Sequence, residues 1–290
     1  MKVNTLLMDI MRGDWLMSLE SRNAYAVIAH KIITGETVDL GTKTDLLISV
    51  IDSKGIKVRP DDKGAMNIPA GSIAVVDMIG PVLKYGDFCT YGADEIVNAL
   101  RIADNNPNII GTILNIDGPG GAVSAIGPFI EFGKTKKKPI VALADQCCSL
   151  HYWAMCAVAD YKMADNNVSA MIGSVGVVTS FVDNRKYLET LGYTFHEIYP
   201  KESEHKNEAV RLALAGKYEM IIEEMLSPLA KKFQAAVREA NPNLKEEVGV
   251  LTGKTFPADK AVEYGMIDAI GSMDQAIQRL HVMSETNHYK

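Results

Sequence analysis

The sequence predicts an α/β fold built on a parallel sheet, and three observations carry that prediction. Two apolar runs, Ile109 to Ile116 and Pro139 to Ala144, are short enough to be buried strands. Each runs directly into a turn, Asp117-Gly118-Pro119-Gly120-Gly121 after the first and Gln146-Cys147-Cys148-Ser149 after the second. Each turn is followed by a helix, over 122–134 and from Ser149 onward. Strand, turn and helix repeated in this order make βαβ units, whose crossovers are right-handed. In such sheets functional groups gather beyond the C-terminal ends of the strands, so the two turns are expected to be neighbours in space.

The remaining elements follow in order. Residues 1–35 read as helical from the stripe Leu16, Leu19, Ala26, Ile28 and Ile32, with Gly35 as the stop. Residues 36–70 carry polar turns, among them Lys54-Gly55 and Arg59-Pro60-Asp61-Asp62, and one strand at 46–51. Residues 1–70 are therefore expected to be an N-terminal helical extension and linker. A strand follows over 72–83, turning at Gly80-Pro81, then a helix over 93–104 that Asn105-Asn106-Pro107 stops. The basic run 134–138 reads as a solvated helix end beside its negative pole. Beyond Ser149 come a short strand at 162–164, a helix from Asp183 to Leu191 ended by Gly192, and a strand at 194–199. A polar loop, Pro200 to Asn207, precedes a long amphipathic helix over 217–240. Ile222, Leu226, Leu229, Phe233 and Val237 share one face of it, and Pro228 marks a kink. Two shorter helices at 257–265 and 273–280 and a tail at 281–290 complete the chain.

Composition narrows the class. Apolar residues make 47% of the chain and charged residues 23%, as in soluble globular proteins. The net charge of −6 argues against nucleic acid as the main partner. Cys147 and Cys148 are adjacent, Cys89 and Cys156 stand alone, and no metal-ligand spacing appears, so reduced thiols, a cytoplasmic setting and no metal are expected. The apolar stretch at 6–11 is too short and too charged for a secretory signal. The region 139–159 contains Asp145, Gln146 and His151 and does not read as a membrane span, so no membrane anchor is expected.

The chemistry centres on Cys148-Ser149-Leu150-His151-Tyr152. A serine at a strand–helix corner ordinarily caps the helix, but its hydroxyl also lies beside backbone N–H groups able to hold a developing negative charge. The N–H groups of Gly120 and Leu150 would form such an oxyanion hole. A serine nucleophile needs a base. His151 lies two residues on and points around the helix away from Ser149. His30, His281 and His288 are terminal, His196 lies in a strand, and His205 in the polar loop stays open, so no Ser-His-Asp triad emerges. Lys206 in the same loop is the other candidate. A lysine acts as base only when neutral, which requires burial or nearby positive charge, so Glu202, Glu204 and Glu208 must point elsewhere.

Four motifs in order carry a resemblance. They are the strand 73–83 with its Gly80-Pro81 end, then Ile116-Asp117-Gly118-Pro119-Gly120-Gly121. Next comes the block from Ala144 to Tyr152 with Ala157-Val158-Ala159-Asp160 and Gly173-Ser174-Val175-Gly176-Val177. Last is Leu251-Thr252-Gly253-Lys254-Thr255-Phe256 with Gly265-Met266-Ile267-Asp268 and Gly271. Over about 73–280 the chain resembles the SppA-type signal peptide peptidases, and among them is most similar to the lambda-type phage head proteases. The resemblance implies a ClpP/crotonase-like spiral of ββα units, with a peptidase domain at 71–280 and a C-terminal helical segment. It implies Ser149 as nucleophile, Lys206 as base, Gly120 and Leu150 as oxyanion donors, Gly121 in substrate binding, and no cofactor. It also implies a homo-oligomer whose serine and lysine can come from adjacent subunits. The implied substrate is a scaffold or other head protein cut during prohead maturation in the host cytoplasm. Two departures stand out. Ser149-Leu150-His151 replaces the Ser-Gly-Gly of many relatives, and a longer stretch between Ser149 and Gly173 keeps Lys201 as a second candidate base. Two other readings stay open: a catalytically inactive head component with the same fold, and a crotonase-type acyl-CoA enzyme.

Overall fold

A computed structural model describes residues 14–17, 31, 43, 46–60, 67–86, 90–179, 181 and 183–287. Strands β1 (Asp14–Met17), β2 (Ile48–Ile51) and β3 (Ser72–Ile79) precede helix α1 (Ala93–Asn105). Then come β4 (Ile109–Gly118), β5 (Gly120–Ala122), α2 (Ile126–Thr135), β6 (Ile140–Cys148) and α3 (Leu150–Val158). Beyond them are β7 (Tyr161–Ala164), β8 (Met171–Gly173), β9 (Val178–Thr179), α4 (Arg185–Thr190) and α5 (Glu208–Leu214). The chain ends in α6 (Ser227–Ala240), β10 (Thr255–Pro257), α7 (Ala258–Glu263), β11 (Ala269–Ile270) and α8 (Met273–Asn287).

The main sheet has eight strands in the order β10-β8-β6-β4-β3-β2, with β7 on the first half of β6 and β11 beyond β7. β3, β4 and β6 are parallel, and Ile113 of β4 lies level with Val75 and Val141. β6 pairs with β7 through Val141 to Ala144 and with β8 through Gln146 to Cys148, so it changes neighbour just before Ser149.

Both faces of this sheet are covered, which is why its strands read as nearly continuous apolar runs. Successive side chains alternate between the faces. Val76, Met78, Leu114, Ile116, Ala142 and Ala144 join the helical residues Ile96, Leu100, Phe129, Phe132 and Phe233 in one cluster. Ile73, Val75, Ile113, Val141 and Leu143 join Ala276 and Leu280 of α8 in another. Each buried Val, Leu, Ile, Met or Phe among them contributes roughly 1.5–3 kcal/mol by leaving water, and each Ala less. The expected α/β architecture is present, and the site-bearing strands β4 and β6 are central in it.

Several expectations change. Residues 14–17 form a strand rather than part of a helix, because β5 and β9 supply backbone partners that outweigh local spacing; the rest of the helix expected at 1–35 lies outside the described residues, apart from Lys31. The strand expected at 46–51 is β2, and it pairs antiparallel with β3, so the main sheet extends across the boundary expected at residue 70. α8 likewise runs past residue 280 to Asn287. Residues 194–199 form no strand. Phe195 is 47% and Ile198 91% exposed, and among the described residues no neighbouring edge supplies ladder bonds. The long helix expected at 217–240 is present as an unbroken helical run over 219–240, with a π turn at Ile221–Leu226 leading into α6. Pro228 follows this π turn directly, and the irregular turn before it is where a residue without an N–H is accommodated.

Candidate active site

Ser149 occupies the single residue between β6 and α3. Its φ of 56° and ψ of −113° are rarely adopted by a residue with a side chain, and such a conformation costs about 1–3 kcal/mol. The surrounding structure holds it there. The Ser149 N–H donates to the Gly173 carbonyl at 2.8 Å, and the Trp153 N–H donates to the Ser149 carbonyl at 3.0 Å. Trp153 stacks on Phe233 with centroids 4.6 Å apart, and the Tyr152 hydroxyl donates to the Met266 carbonyl at 2.8 Å. α3 is thus fixed against α6 and against the segment before β11. Leu150 opens α3, so its N–H has no carbonyl partner within the helix and lies at the helix's positive end.

The parallel pairing of β4 with β6 sets Gly118 beside Cys147, which brings the glycine turn level with the serine corner. Instead of turning directly into a helix, the glycines enter β5 and then a short 3-10 turn at Val123–Ala125. Gly120 has a φ of 122°, which favours glycine. A Cβ on Gly121 would lie 1.9 Å from the Val82 carbonyl oxygen and 2.6 Å from Leu150 Cδ2, and one on Gly118 would lie 2.3 Å from His151 Nε2. Only glycine lets β5 approach the first turn of α3 this closely. Gly120, Gly121, Ser149 and Leu150, widely separated in the sequence, are therefore brought together.

His151 points into the core. It is fully buried, and neither ring nitrogen has a hydrogen-bond partner. Burial lowers its pKa to about 3; the Gly80 carbonyl acts in the opposite sense without forming a complete hydrogen bond. A neutral, enclosed imidazole of this kind is not a base for Ser149. The neighbouring thiols are free, and burial raises Cys148 to about 11 and Cys147 well above the ordinary thiol range, so both stay protonated.

A cavity of about 330 Å³ opens on Ser149, lined also by Ser174, Val178, Gln234, Leu251 and Thr252. Sequence reasoning missed Ser174, Gln234 and Thr252 as site residues. Ser174 shares the positive φ of 56°, a conformation that only the Gly173-Ser174-Val175-Gly176 pattern hinted at. Among the described residues no histidine or lysine lines this cavity. Lys206 and Lys201 lie exposed in the loop before α5, away from it. Glu208 and Glu204 both face His205, at 2.7 Å and 3.4 Å, rather than Lys206. A larger cavity, about 580 Å³, is lined by Thr179, Phe181, Tyr218, Ile222 and Leu226 among others and includes neither Ser149 nor the two lysines. Among the described residues no group of histidine, cysteine or carboxylate side chains could hold a metal ion, and no helix is long and apolar enough to cross a membrane.

The family described as Peptidase family S49 matches residues 133–287, more than half of the chain, spanning Ser149 and Lys206 but not the glycine turn. Protease 4 of Haemophilus influenzae is 26% identical over 226 residues, covering 76% of this chain and 36% of that protein. Protease 4 of Salmonella typhi is 24% identical over 217 residues, covering 72% of this chain and 34% of that protein. The chain thus spans about a third of the length of the curated relatives it matches.

Proposed function

The chain belongs to peptidase family S49, and on that premise we propose that it is a serine endopeptidase with Ser149 as nucleophile and Lys206 as general base. The observation that carries the reading is the backbone of Ser149, held at a φ of 56° on the corner where β5 meets the first turn of α3. Strain of this kind persists where a hydroxyl must be presented in one orientation. In the proposed reaction neutral Lys206 takes the Ser149 proton while Oγ attacks a peptide carbonyl. The N–H groups of Gly120 and Leu150 hold the oxyanion, and Gly121 lies along the bound peptide. The lysine ammonium then protonates the leaving amine, and water releases the acyl group from Ser149.

Lys206 is exposed in a single chain, so this reading requires a second copy to bring it to the site and enclose it. The segment that carries Lys206 supports that requirement. Phe181, Tyr187, Tyr193, Phe195 and Ile198 are between 47% and 91% exposed, a density of apolar surface expected of an interface. A ring-forming homo-oligomer with a shared site follows. The natural substrate is read as a scaffold or other head protein of a phage prohead in the host cytoplasm, on the resemblance of the motifs alone.

Hydrolysis of an unfolded polypeptide tests the assignment. Ser149→Ala and Lys206→Ala should each lower the rate by about a thousandfold or more, with unchanged circular dichroism, while Lys201→Ala should leave it within about twofold. Full activity of Ser149→Ala would remove the nucleophile assignment; loss with Lys201→Ala and not Lys206→Ala would move the base to Lys201.

A further inference from the structure

Apart from the main sheet there is a three-stranded sheet in the order β5-β1-β9. β1 is its middle strand and runs antiparallel to both neighbours. Met17 pairs with Gly120, Leu16 with Gly121 and Trp15 with Ala122; on the other side Trp15 pairs with Val178 and Asp14 with Thr179. Both outer strands belong to the Ser149 site. β5 carries Gly121, packed against Leu150 at the start of α3, and Val178 of β9 lines the cavity that opens on Ser149. Neighbouring strands lie about 4.8 Å apart, so the gap between β5 and β9 is the width of one extended chain, and residues 14–17 fill it.

Two facing strand edges are a template for an extended peptide. Main-chain hydrogen bonds to the edges give affinity for any sequence able to extend, and alternate side chains add preference. The register fixes the direction of such a peptide. Its chain runs toward Gly120, so the residue in the place of Met17 sits opposite the proposed oxyanion donor. Residues before the cut bond lie along Gly121 and Ala122.

We propose that the gap between β5 and β9 is the binding groove for an extended polypeptide, and that residues 14–17 occupy it as an internal pseudosubstrate that shields Ser149 until displaced. The shielding rests on the reading of Ser149 as a peptidase nucleophile; the occupancy rests on the strand pairing alone. Four residues form a short ladder, so the segment can be exchanged for a substrate without unfolding the main sheet.

Amide hydrogen exchange on the full chain carrying Ser149→Ala reads the occupancy in the absence of turnover. Amides of Gly121 and 178–179 are expected to be protected, and to exchange about tenfold faster or more when Leu16→Pro is added, since proline cannot serve in a central strand, whereas the Ala122 amide, which donates to the Val82 carbonyl at 3.0 Å, should not change. Amides of β6 should not change, which shows that the main sheet stays folded. Leu16→Ala should keep the protection, because the ladder is made by backbone. A synthetic peptide spanning residues 12–19 should restore protection to the Leu16→Pro chain. Equal exchange with and without Leu16→Pro, or no restoration by the peptide, overturns the proposal. With Ser149 intact, Leu16→Pro should cleave an added unfolded polypeptide several-fold faster than the parent. Loss of protection with equal cleavage rates overturns the shielding and leaves the peptidase reading standing. Loss of protection with no cleavage by either chain supports the occupancy and removes the peptidase reading.

Discussion

Ser149 and His151 lie on the same turn and have opposite fates. Ser149 holds a costly backbone conformation at the mouth of a cavity, whereas His151 is enclosed with both nitrogens unpaired. Helical spacing already turns the histidine away from Ser149, and the structure gives it a different consequence. Burial lowers the His151 pKa from the ordinary 6.5 to about 3. The folded chain therefore keeps the ring neutral where the unfolded chain binds a proton. Its contribution to stability is complete above about pH 6.5 and is lost as the pH falls toward 3, by on the order of several kcal/mol in total. His151→Leu removes no formed hydrogen bond, so unfolding stability at pH 7 should change by about 1 kcal/mol or less. Denaturant titrations from pH 7 to pH 4 should show a flatter acid limb for the variant. An undiminished slope would assign the acid sensitivity to other groups.

At the scale of elements, the strand–turn–helix units were legible because each combines an apolar run with glycine punctuation. What fixes them to each other was not. α3 is tied by Tyr152, whose hydroxyl donates to the Met266 carbonyl and accepts from Asn241 Nδ2 at 3.3 Å. Tyr152→Phe leaves the buried Met266 carbonyl without its donor, while Asn241 Nδ2 keeps the Val237 carbonyl at 2.8 Å, and should lower stability by about 1–3 kcal/mol, measured by urea unfolding. A change near zero would mean that water replaces the hydroxyl. The basic run at 134–138 is likewise more than a solvated helix end. The Asp104 carboxylate accepts the N–H groups of Lys137 at 3.0 Å and Lys138 at 2.9 Å, and Lys138 Nζ donates to the Ala103 carbonyl at 3.2 Å. The run joins the end of α2 to the end of α1. Residues 14–17 and 194–199 show the opposite limit. Leu16, read as part of a helical stripe, lies in a strand where two edges were available, and a strand-like run stayed irregular where none of the described residues offers one.

At the scale of the whole molecule, Ser149 and Lys206 belong to different parts of the chain: one in the central sheet's corner, the other in an exposed apolar arm. If the arm completes the site of a neighbouring copy, two inactive variants should rescue each other. Ser149→Ala retains its lysine and Lys206→Ala retains its serine, so mixed assemblies contain some intact pairs. Dissociating and reassembling an equal mixture should recover a measurable share of the wild-type cleavage rate. A mixture as inactive as its components would confine both residues to one subunit and remove the shared-site reading.

The sequence by itself determined the α/β class, the two turns that carry Gly120, Gly121, Ser149 and Leu150, and the family, because hydrophobic runs and glycine positions are local and readable in order. The tertiary structure alone decided that His151 is enclosed, that Ser174, Gln234 and Thr252 share the cavity with Ser149, and that residues 14–17 lie as a strand between β5 and β9. Those outcomes depend on which edges and surfaces meet across long separations in the chain. A strand forms where partner backbone groups stand unpaired, and a titratable ring is silenced by what closes over it; neither condition is written in the spacing of a segment's own residues.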